Sequence, residues 1–137
     1  MILQPIVLYI IATVTFFAID LVWLGFVARK FYFDQLGNLA RSPNDINWAA
    51  AILFYLIFIV GILIFAVYPA INSSSIQKAL ILGALFGFIA YATYDLTNLA
   101  TLKDWPIKLV IVDMIWGAVL SASVASITFY LSRHINL

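Results

Sequence analysis

Residues 48–68 read WAAAILFYLIFIVGILIFAVY, without one charged side chain. A helix needs about 20 mostly apolar residues to cross a hydrocarbon core roughly 30 Å thick, and this stretch supplies them. Its surroundings have the same character. The chain is 66% hydrophobic and 9% charged, with a mean hydropathy of +1.11. Soluble domains run at about 45–50% apolar and roughly 25% charged, so a water-soluble fold could not cover this much apolar surface.

Working outward, three more stretches have the required length and apolarity: 6–27, 76–101 and 106–131. Water cannot satisfy open backbone groups inside lipid, so each is expected to be a helix. The alternation that barrel strands need is absent. The fold class is therefore all-α: a polytopic membrane protein, 1–137 forming one domain built as a four-helix bundle. Ser74 with Gln77 reads as a capping box opening the third span. Asp104 before Pro106 reads as the cap of the fourth, and Pro69 as an aid to closing the second. The long first connection, 28–47, begins Arg-Lys-Phe-Tyr-Phe-Asp-Gln-Leu-Gly. Its pattern suits a short interfacial helix stopped by Gly37.

Charge sets an expected orientation. Arg29, Lys30, Arg41, Lys103 and Lys108 lie on the side of loops one and three, against Lys78 and Arg133 on the other. Basic residues favour the cytoplasmic face, so loops one and three are expected inside and both termini outside. A formal net charge of +1 offers no basic face for nucleic acid. There is no cysteine, and the single histidine, His134, lies beyond the spans. Thiolate and histidine metal sites and bis-histidine haem are thereby excluded within one chain, and no cofactor is expected.

Polar chemistry inside the spans concentrates on three carboxylates, Asp20, Asp95 and Asp113. Counted from the loop-one and loop-three border at 1.5 Å per residue, all three lie roughly 11–13 Å deep. An aspartate at the centre of a membrane helix costs on the order of 2.5–3.5 kcal/mol, and no basic residue within the spans is placed to offset it. Three like charges in a low dielectric repel, so at least one of them is expected to hold a proton at neutral pH.

The expected arrangement turns helices one, three and four so that these acids face a common polar centre. Tyr91, Tyr94 and Asn98 fall on the Asp95 face of the third span, while Trp23 and Trp116 flank the other two acids. Gly83 and Gly87 permit a close helix approach, as does the small stripe Gly117, Ser121 and Ala125. The uncharged second span is expected to close the bundle toward lipid. Two readings stay open. The acids fix helix register as polar glue, or they form a site for a solute, proton or substrate. Trp23 and Trp116 likewise suit packing or a ligand cage. A short likeness between residues 20–24 and 95–99 suits a duplicated two-helix unit.

The stretches Leu21-Val22-Trp23-Leu24-Gly25, Tyr91 through Ala100 and Asp113-Met114-Ile115-Trp116-Gly117 resemble a bacterial family, domain of unknown function 2177. The likeness extends over almost the whole chain, including Phe31-Tyr32 and Gln35-Leu36-Gly37. It implies an inner-membrane protein of bacteria whose unit is a four-helix domain. No activity comes with it, so no catalytic residue is carried over.

Three functions compete on these observations. A solute, cation or proton carrier or channel subunit would use the aspartates directly, and with only four helices it would need a homo-oligomer. A non-catalytic assembly or lipid-binding partner would use them for folding. A membrane enzyme acting on a lipid would split acid and base roles between two of them. Its nucleophile and phosphate cradle are missing from the sequence, and whether the chain is an enzyme stays open. A lipid bilayer, and a small cationic or lipid ligand, are the partners these readings imply.

Overall fold

Uninterrupted apolar sequence gives four long helices. The computed structural model describes residues 2–135. Within it α1 spans Leu3–Val27, α2 Arg29–Leu36, α3 Trp48–Asn72, α4 Ile76–Thr101 and α5 Ile107–His134. The four long ones hold 25, 25, 26 and 28 residues, enough at 1.5 Å each to reach past a core of about 30 Å at both ends. Among the described residues there are no strands. Each long helix packs on its neighbours in sequence, and α5 closes the ring against α1.

The α4–α5 interface is the tightest. A Cβ on Gly83 would come within 2.7 Å of the Ser121 carbonyl oxygen, and one on Gly87 would overlap the Gly117 carbonyl. Both glycines are therefore used for packing inside the chain, where small residues let two backbones meet. On α5, Leu120, Val124 and Thr128 are fully buried one turn apart, making it the most enclosed helix.

Two helices carry a π turn. In α3 it covers Leu63–Val67, and in α1 it covers Trp23–Val27. The buried residues of α3 are Phe58, Ile59, Ile62, Leu63, Ala66, Val67 and Ala70, repeating every four positions. A straight 3.6-residue helix would let that stripe drift around its axis; the wider i→i+5 turn pulls it back toward the core. The same turn corrects the expected role of Pro69. The helix continues through it to Asn72, because Pro69 sits in the first turn after the π turn, where its missing N–H is least costly.

Helix starts differ from expectation in two places. Ser75, not Ser74, caps α4 by accepting from the Lys78 amide at 3.2 Å, while Ser74 takes a left-handed φ of 50° in the tight turn. α5 begins at Ile107 with Pro106 in extended backbone before it, and no side chain caps it. Asp104 is the left-handed residue of that turn, with φ 60°. The first connection does form the short helix α2, stopped by Gly37 at φ 52°. Asn47 then caps α3 by accepting from the Ala50 amide at 3.1 Å.

Candidate functional site

Asp20 stands at the end of a buried stripe on α1, after Leu8, Ala12 and Phe16. Its position puts a carboxylate inside the bundle, where both oxygens find donors. The Trp116 indole N–H of α5 donates to Oδ1 at 3.0 Å, and the Tyr55 hydroxyl of α3 donates to Oδ2 at 3.2 Å. One side chain thereby ties three helices together. Edge-on contacts of Phe16 with Tyr55 and Phe58 seal the level beneath it.

Asp113 on α5 is served from outside the four long helices. After the π turn that ends α1, Ala28 leaves helical geometry at φ −112°, ψ 2°, and its amide donates to the Trp23 carbonyl at 2.7 Å. That break folds α2 back against α5. The Tyr32 hydroxyl then donates to Asp113 Oδ1 at 2.7 Å and accepts the Trp23 indole N–H at 3.3 Å. Burial, with the charge of Asp113 beside it, pushes the Tyr32 phenol well above its ordinary range, so it remains a proton donor. Trp23 in turn stacks on Trp116, which joins the two carboxylate centres into one continuous arrangement.

Asp20 and Asp113 both line a cavity of about 600 Å³. Its other walls are mostly aromatic: Tyr32, Phe54, Tyr55, Phe58, Tyr91, Tyr94 and Trp116, with Leu24 and Ala90 between them. All belong to the half of the bundle adjoining loops one and three. Among the described residues the one ion pair is the exposed Arg41–Asp45 contact at 3.7 Å, so no cation of the chain offsets either acid. No group of three or more histidine, cysteine or acidic side chains converges among them as a metal site would require.

Asp95 lies beside Asp113, as expected of it, but off the cavity. It is fully buried on the α5 side of α4 and does not line the cavity. Asp113 and the Trp105 indole are its polar neighbours, yet among the described residues neither its oxygens nor the Trp105 N–H has a hydrogen-bond partner. Tyr91 reaches the cavity wall, whereas Tyr94 stands at the rim, 57% exposed and edge-on to Trp105. Asn98, one turn beyond Tyr94, is half-buried and outside the lining.

The second span does not simply close the bundle toward lipid, since its Tyr55 donates to Asp20. A depth count would have found it: Tyr55 lies seven residues, at 1.5 Å each, from the start of α3, at the level of the acids. Tyr32 has no comparable local signal. Its role depends on α2 folding back, which only the tertiary structure reveals.

No curated protein and no solved structure matches the chain. A family model does. Residues 5–130, nearly the whole length, match the family described as predicted membrane protein (DUF2177), and the chain belongs to that family.

Proposed function

We propose that this membrane protein binds a small cationic solute, a proton included, and serves as a carrier or channel subunit. One observation carries the reading: Asp20 and Asp113 face a single cavity of about 600 Å³ among walls that supply no positive charge. Ionisable groups inside a membrane are expensive, and where they line a cavity they mark ion and substrate paths more often than packing. The π turn at Trp23–Val27, beside the cavity, fits the tendency of such turns to lie at functional sites. With four helices around one cavity, a conducting form needs a second copy of the chain.

A second reading has its own support. Both oxygens of Asp20 are occupied by donors from α3 and α5, which suits a register-holding role. Asp113, with one donor among the described residues, separates the two readings. The bias of basic residues toward loops one and three supports an orientation with those loops cytoplasmic and both termini outside.

Purified protein in liposomes, under an imposed pH gradient or membrane potential, should give proton or cation flux. Asp113→Asn should abolish it while the protein stays folded and monodisperse. Flux unchanged in Asp113→Asn, or absent from the unaltered protein, overturns the carrier reading and leaves the register role.

A further inference from the structure

We infer that the ligand of this cavity is an organic ammonium-type cation on an apolar body, admitted sideways from the acyl layer. The inference rests on the reading above and narrows its substrate class.

Size comes first. A cavity of about 600 Å³ falls in the range of sites for whole organic molecules, roughly 300–1,000 Å³. A bare metal cation instead needs a close shell of oxygens, about six for magnesium and more for calcium. Here two carboxylates stand among aromatic rings, and no set of three metal-binding side chains converges among the described residues.

Wall chemistry points the same way. Tyr55, Phe58, Tyr91 and Trp116 present π-systems around the acids, and the negative face of a ring attracts ammonium groups, most strongly when both are desolvated. Each oxygen of Asp20 already accepts from Trp116 or Tyr55, whereas Asp113 accepts one hydrogen bond among the described residues, which makes Asp113 the freer counter-charge for a ligand. The remaining wall is apolar and suits a hydrocarbon body.

Access follows from exposure. Leu24 of α1 and Phe54 of α3 line the cavity and are 37% and 46% exposed, so the cavity is not sealed beside them. Both lie within membrane-spanning helices, so an opening at their level meets acyl chains. A hydrophobic cation already partitioned into the bilayer would enter there without crossing the α2 end. The same chemistry could be presented by a free amphiphilic amine or by an amino lipid headgroup.

The test is equilibrium binding of radiolabelled tetraphenylphosphonium to the full chain in a neutral detergent. The neutral analogue triphenylphosphine oxide and an excess of NaCl or KCl serve as competitors. Tetraphenylphosphonium should bind, resist both competitors, and bind about tenfold or more weakly to Asp113→Asn, with Asp113→Glu restoring much of the affinity. Restoration by glutamate separates loss of charge from misfolding. Displacement by phosphatidylethanolamine but not by phosphatidylglycerol would assign the native ligand to a lipid headgroup, and displacement by neither to a free cation. If the probe fails to bind, or if sodium or the neutral analogue displaces it, while Asp113-dependent flux persists in liposomes, the ligand class is wrong and the carrier reading stands. Absence of both binding and flux overturns the two together.

Discussion

Trp23 and Trp116 lie face to face, their ring centroids 4.2 Å apart and their planes 10° apart, although they come from antiparallel helices. The stack is a junction. Through its indole N–H, Trp23 supports the Tyr32 hydroxyl that holds Asp113, and through its own, Trp116 holds Asp20. The two acids are therefore positioned by one aromatic unit, and a change at either indole is felt at a carboxylate.

That unit can be divided by substitution. Trp116→Phe keeps a ring for stacking but removes the N–H, leaving Asp20 Oδ1 without a donor in a low dielectric. The loss should destabilise the protein by about 1–3 kcal/mol. Trp23→Phe removes a longer, 3.3 Å bond between neutral groups and should cost less, about 0.5–1.5 kcal/mol. Thermal unfolding in one detergent orders the two. Equal effects would mean that ring area, and not the N–H to Asp20, is what matters.

How much of this was legible depends on whether a feature is local. The four spans follow from apolar length alone, and the helix stop at Gly37 from a glycine placed after an amphipathic run. The close α4–α5 approach was readable because Gly83 and Gly87 recur at one-turn spacing. The π turns were not, since in an all-apolar helix a stripe repeating every four residues is masked by the apolar residues around it. Asp20 and Asp113 announced themselves by charge. That Asp95 would be sealed away from the cavity could not be read from periodicity, which places it on a face without saying what that face meets. The fold-back of α2 that brings Tyr32 to Asp113 spans 81 positions in sequence and leaves no local trace.

Glycine packing gives a prediction with a built-in control. Gly87→Ala forces a methyl group into the Gly117 carbonyl, and the backbone cannot yield as a flexible side chain would. It should cost about 1–3 kcal/mol and loosen the α4–α5 contact. Gly25→Ala, at a position with nothing within 4 Å of the added Cβ, should be neutral or slightly stabilising. Unfolding of the two variants side by side in detergent checks this. If Gly87→Ala matches Gly25→Ala, the helices do not pack as closely as described.

The acids should differ sharply when made neutral. Asp20 accepts two hydrogen bonds, so in Asp20→Asn the amide nitrogen must face either the Tyr55 hydroxyl or the Trp116 N–H as a mismatched donor. A loss of about 1–3 kcal/mol is expected. Asp95 is fully buried beside Asp113 with no hydrogen-bond partner among the described residues, so Asp95→Asn breaks no bond, removes an acid from next to another, and should leave stability unchanged or raise it. Melting temperatures of the two variants decide it, and the reverse order would require an unseen donor at Asp95.

Release of α2 is the remaining consequence of the network. Between the break at Ala28 and the left-handed Gly37, α2 is a short segment whose polar anchor to α5 is the 2.7 Å bond from Tyr32 to Asp113. A hydrogen bond to a charged group contributes about 1.5–3 kcal/mol, and Tyr32→Phe removes it while keeping the ring. Local opening should then become roughly ten- to hundredfold more frequent, confined to the segment that lost its anchor. Hydrogen exchange by mass spectrometry should show faster exchange in residues 29–36, with α4 and α5 unchanged. Exchange that stays slow in α2 would mean that its apolar contacts hold it without Tyr32; faster exchange throughout α5 would mean that the bond supports the bundle and not the segment alone.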